Sequence, residues 1–114
     1  MAYVDGFLIP VPTAKKAEYK AFAEHWTGYF KGLGALSFYE CWGDEIPKGK
    51  LTDFPRAVQL KEDENVVFSW MIWPDKATRD VAWGRMMEEA PPDDMPFDGQ
   101  RMIFGGFEPL VVSE

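Results

Sequence analysis

The segment Asn65 to Trp73 reads NVVFSWMIW and carries no charged side chain. It is bounded by the charged turn Lys61 to Glu64 and by Pro74-Asp75. A run so continuously apolar is expected to be a strand covered on both faces. Two other strand-like segments, Ala35 to Asp44 and Arg101 to Val112, also place apolar side chains at both parities. Even positions of the three give Phe38, Trp42, Phe68, Trp70, Ile72, Met102 and Phe104. Odd positions give Tyr39, Cys41, Met71, Trp73, Ile103 and Phe107. Side chains alternate across a sheet, so helices can hide only one set and the other needs its own cover.

The remaining elements complete the order. Tyr3 to Val11 reads as a first strand, with Pro10 suggesting an edge position or a strand end. Thr13 is placed to cap a helix in which Tyr19, Phe22, Ala23, Trp26, Phe30 and Leu33 form one apolar side, and Gly32 and Gly34 stop it. Glu45 to Arg56 is a long connection: Pro47-Lys48-Gly49 signals a turn, and Pro55 biases Phe54 to an extended shape. Ala57 to Leu60 is a candidate short strand. Asp75 is a good N-cap for a second helix running to about Ala90, with Ala82, Trp83, Met86 and Ala90 on its apolar side, and Pro91-Pro92 ends it. Asp98-Gly99 marks a turn before the last strand, where Gly105-Gly106 suggests a bulge.

The order strand, helix, strand, strand, helix, strand predicts an α+β fold. It is the ferredoxin-like βαββαβ pattern, an antiparallel sheet with two helices on one face, in a single domain spanning 1–114. A buried aromatic hides roughly 150–250 Å², and a contiguous apolar patch on a monomer is typically about 300–600 Å² at most. Three exposed aromatics on the uncovered face reach that limit. The expectation is a homodimer packed sheet against sheet as a dimeric α+β barrel.

Composition excludes several classes. The 114 residues carry 12 basic and 19 acidic side chains, a formal charge of −7, which argues against nonspecific nucleic-acid binding. One cysteine, Cys41, allows no intramolecular disulfide and no Cys-rich zinc site. The N-terminus lacks the pattern of a secretory signal, and no apolar stretch is long enough for a membrane span. A cytoplasmic location with no membrane association is the expectation. No phosphate loop, nucleophile elbow, dinucleotide fingerprint or calcium loop is present, so no cofactor or metal is expected.

Four stretches carry a family resemblance: Tyr3-Val4-Asp5-Gly6-Phe7 with Pro10-Val11-Pro12 following; Gly34-Ala35-Leu36; Val67-Phe68-Ser69-Trp70; and the unusual run from Met95-Pro96-Phe97-Asp98-Gly99-Gln100-Arg101 through Met102-Ile103-Phe104-Gly105-Gly106-Phe107. Through these the chain resembles the uncharacterised YbaA-like family, domain of unknown function 1428. The resemblance implies a dimeric α+β barrel and no established activity. Some members bear a name linked to signal-recognition-particle RNA, which the negative charge does not support. Other dimeric α+β barrels include cofactor-less monooxygenases, haem-degrading enzymes and small dehydratase-like or isomerase-like proteins, an analogy of fold alone.

Candidate chemistry is sparse. His25, the only histidine, is either a general base facing a helix–sheet pocket or a boundary residue with one nitrogen in water, and nothing resembling a triad surrounds it. Cys41 has no local base or cation to activate it and reads as a small core thiol. Asp98 and Arg101 bracket a turn, as an ion pair fixing the loop or, through the guanidinium fork, as a carboxylate-binding site. Glu40, Ser69 and Glu108 interrupt apolar strands. A carboxyl facing an interior would have a raised pKa suited to acid–base work. Asp93, Asp94 and Asp98 read as a solvated acidic loop.

Two functions fit. The first is a dimer binding a small apolar or aromatic molecule, with cofactor-independent catalysis. Its wall groups would come from His25, Trp26, Tyr39, Trp70, Phe97 and Arg101. The second is a structural or protein-interaction dimer whose aromatic side chains are all consumed by core and interface.

Overall fold

The computed structural model describes residues 2–114 and is an α+β fold. The elements are β1 (Tyr3–Pro12), a 3₁₀ turn (Thr13–Lys15), α1 (Lys16–Gly32), β2 (Ser37–Trp42), α2 (Phe54–Ala57), β3 (Glu64–Trp73), α3 (Lys76–Glu89) and β4 (Ile103–Phe107). The sheet is four-stranded, in the order β2-β3-β1-β4, and every adjacent pair is antiparallel. β1 and β3 therefore form its centre, paired over their whole lengths from Tyr3 opposite Trp73 to Pro12 opposite Glu64. α1 and α3 cover only one face of this centre: Val67, Ser69, Met71 and Trp73 of β3 are buried, while Phe68 on the other face is exposed, so the expectation of a β3 covered on both faces is not met within one chain.

Several boundaries differ from expectation. β1 is central, so Pro10 does not mark an edge strand. It lies beyond Leu8, the last β1 residue paired with β4, where the missing N–H breaks no ladder on that side. Thr13 provides no side-chain cap, and a 3₁₀ turn precedes α1 instead, with the Thr13 N–H donating to the Asp63 carbonyl. Ala57–Leu60 is not a strand. Asp53 accepts from the Arg56 N–H and caps the single turn of α2, which makes Phe54 its first helical residue rather than an extended one. The last strand ends at Phe107, well before Val112, and it contains no bulge: Gly105 and Gly106 pair in unbroken register with Gly6 and Asp5. Gly106 is small because Tyr3 fills the space above it, where a Cβ would collide with the phenol ring and hydroxyl.

Other elements form as expected. The α1 stripe buries Tyr19, Ala23 and Phe30. Gly34 terminates the helix at φ +112, a backbone conformation closed to side-chain-bearing residues. Asp75 caps α3 through the Thr78 N–H at 2.7 Å.

The register also corrects which side chains share a face. Tyr39 lies opposite Trp70 and Phe38 opposite Met71, so parity switches between strands. The helix-covered face combines Phe38 and Trp42 with Met71 and Trp73. The other combines Tyr39 and Cys41 with Phe68, Trp70 and Ile72. Neither is polar. Under α1 and α3 lie two apolar clusters. One is centred on Phe30, Met71, Trp73 and Met86, the other on Ile9, Val11, Tyr19 and Val67. On the opposite face Tyr39, Phe68, Ile103 and Phe107 remain exposed, with only α2 reaching one end, where Phe54 leans on Phe68.

Candidate functional site

Where the two clusters meet, a cavity of about 120 Å³ opens between α1, the sheet and the loop before β4. α1 supplies Phe22, Trp26 and Phe30 because its apolar stripe faces the sheet. The loop supplies Met95 and Phe97, whose ring meets Phe22 edge-on at 5.5 Å. From the sheet come Phe7, Phe38 and Glu40. Glu40 is the only carboxylate among the lining residues, and no lysine, arginine or histidine lines the cavity.

The Tyr19 hydroxyl donates to Glu40 Oε1 at 2.6 Å. This pair separates the cavity from a wider groove between α1 and the edge of β2, where Lys16, Lys20 and Cys41 are found. Water reaches Glu40 from the groove, while protein crowds it on the other sides. That crowding weakens its solvation and raises its pKa, an effect only partly offset by the Tyr19 hydrogen bond. Burial, and then the neighbouring Glu40 charge, push the Tyr19 phenol upward, so Tyr19 remains a donor. Ser69, opposite Glu40 in the register, is buried with no hydrogen-bond partner for its hydroxyl.

The residues singled out from sequence do not converge on one place. Trp26 and Phe97 line the cavity. Tyr39 and Trp70 stack on the opposite face of the sheet, ring centroids 4.8 Å apart, and do not meet them. His25 is exposed on α1, its ring edge-on to Trp26. Arg101 is fully engaged: Nη1 and Nη2 grip both Glu64 oxygens at 2.8 and 2.6 Å, Nε contacts Asp98 at 2.9 Å, and Nη1 also reaches the Gln59 carbonyl. These contacts tie the Asp98 turn to the start of β3, and with it the loop that carries Phe97. Glu108 lies exposed beyond β4, as do Asp93 and Asp94 in their loop. Cys41 is a partly exposed thiol on an edge strand, not a core one. Among the described residues no group of His, Cys, Asp or Glu is arranged to hold a metal ion. Among the same residues no helix is long and apolar enough to cross a membrane.

Sequence reasoning singled out Glu40 but missed its partner, because Tyr19 reads as one more member of an apolar helical stripe. It also missed the buried carboxylate Asp5. Asp5 Oδ2 accepts from the indole N–H groups of Trp73 and Trp83, both at 2.9 Å, and Arg79 Nη2 reaches Oδ1 at 2.8 Å. The signal was an aspartate inside an apolar strand. Asp5, foremost, and Asp80 hold the Arg79 guanidinium firmly in its charged form.

The chain is 47% identical over 115 residues to the uncharacterized protein YbaA of Escherichia coli K12, covering 97% of this chain and 98% of that one. The same figures hold for the YbaA proteins of Escherichia coli O157:H7 and Shigella flexneri. Among solved structures, the de novo designed protein Foldit4 superposes with a TM-score of 0.53 at 14% identity, covering 96% of this chain and all of that one, a likeness of fold alone. A family model described as protein of unknown function (DUF1428) matches residues 2–99, and the chain belongs to that family.

Proposed function

We propose that the protein is a homodimeric α+β barrel, each chain one ferredoxin-like domain, and that it binds a small apolar or aromatic molecule beneath α1. One observation carries this reading: a single hydrogen-bonded carboxyl, Glu40, is held by Tyr19 in the wall of an otherwise apolar cavity. Small-molecule sites combine these features, apolar walls for affinity and a few placed polar groups for orientation. Glu40, with its pKa raised, is the group able to hold or move a proton there without a cofactor. Arg101 and Asp98 act as positioning residues for the loop bearing Phe97, and His25 stays outside the cavity.

The test is an amide NMR titration of the intact protein with a panel of benzene-sized fragments. Shifts concentrated in α1 and in residues 95–102 are the expected result. A panel that leaves those resonances unmoved overturns the proposal.

The uncovered sheet face favours a second reading, a structural or interaction dimer with no small-molecule site. Tyr39, Phe68, Ile103 and Phe107 are each between 44% and 61% exposed, an apolar surface suited to a second copy. The same titration separates the readings, since this one expects dimerisation without any fragment response.

A further inference from the structure

We infer that the cavity beneath α1 selects an uncharged monocyclic phenol, its ring against Phe22, Trp26 and Phe97 and its hydroxyl on the free oxygen of Glu40. This deepens the proposed function and rests on it. The first argument is size. The cavity measures about 120 Å³, and an apolar cavity of about 150 Å³ accommodates benzene. The space is of the scale of a single ring, and its open side accommodates what the enclosed volume lacks.

The second argument is charge. No cationic side chain lines the cavity, and Arg101, the fork best suited to a carboxylate, is spent on Glu64 and Asp98. An aromatic acid would therefore bring an unpaired anion against Glu40. A benzylic ammonium would pair with Glu40 but would have to shed its hydration among apolar walls.

The third argument is hydrogen-bond capacity. Tyr19 occupies Oε1 of Glu40, and because Glu40 is exposed toward the groove its other oxygen is left to water or to a ligand that displaces it. A hydroxyl both donates and accepts, so it satisfies Oε2 whether Glu40 is ionised or protonated. A ketone can only accept and an ammonium can only donate, so each matches one protonation state alone.

The experiment compares phenol, toluene, benzoate and benzylamine as ligands of the wild-type protein and of Glu40→Leu, by NMR titration. Phenol is expected to bind the wild type roughly tenfold more tightly than toluene, the equivalent of one good hydrogen bond, with benzoate and benzylamine weaker still. In E40L the preference for phenol over toluene is lost while toluene continues to bind, which shows that the cavity persists. Benzoate or benzylamine binding as well as phenol overturns the inference and leaves the cavity reading standing, as does E40L retaining the preference. If none of the four binds, the cavity reading fails and this inference falls with it.

Discussion

Tyr39 and Trp70 stack nearly parallel, 13° between ring planes, on the side of the sheet that neither α1 nor α3 covers. Cross-strand aromatic pairs stabilise a sheet locally, but here the pair also belongs to an apolar surface that includes Phe68 and Phe107.

That surface predicts self-association. Size-exclusion chromatography with light scattering should give twice the mass of one chain at micromolar concentration. Phe68→Glu, at a side chain 46% exposed, should give monomers with unchanged far-ultraviolet circular dichroism. A wild type that runs as a stable monomer removes the dimer.

Asp5 should be among the costliest polar side chains to delete. It is 1% exposed and accepts from two indoles and Arg79. Asp5→Ala strands all three donors, at an expected cost of about 3–5 kcal/mol in urea unfolding. Arg79→Met should cost less, because Asp5 keeps both indole partners. Equal or reversed costs would contradict this hierarchy.

Glu40 should leave a signature in the pH dependence of stability. Its folded pKa lies above the ordinary value of 4.5, so its contribution is fully present below 4.5 and is lost as pH rises through the folded pKa. The difference in unfolding free energy between wild type and Glu40→Gln should therefore shift against the wild type over that window. A difference that stays flat with pH sinks the assignment. Tyr19→Phe, which removes the hydrogen bond favouring ionisation, should move the window to higher pH.

Glu64 has the opposite sign. The Arg101 hydrogen bonds hold its pKa below the usual carboxylate range, so the stability it contributes is present above 4.5 and lost as pH falls through the folded pKa. Arg101→Met should flatten that acid limb. It should also speed limited proteolysis within residues 91–100, since the loop loses its tie to β3. Unchanged cleavage would separate Arg101 from loop positioning.

Gly34→Ala places a Cβ at φ +112 and 2.7 Å from the Thr78 methyl group on α3. The expected loss is about 1–3 kcal/mol in thermal or urea unfolding. A neutral substitution would mean that the α1–β2 turn adjusts freely.

The sequence alone carries the four main strands, the two long helices and the presence of apolar side chains on both sheet faces. These follow from local periodicity and from caps such as Asp75, which act over a few residues. It could not determine which side chains share a face, because parity carries no register between strands; only pairing put Tyr39 beside Trp70. Nor could it bring Tyr19 to Glu40, 21 positions apart, or Asp5 to Trp73, Arg79 and Trp83. Those meetings depend on the pairing of β1 with β3 and on how α1 and α3 pack across the sheet. The same packing sets Trp26 and Phe97 around one cavity and leaves His25 in water.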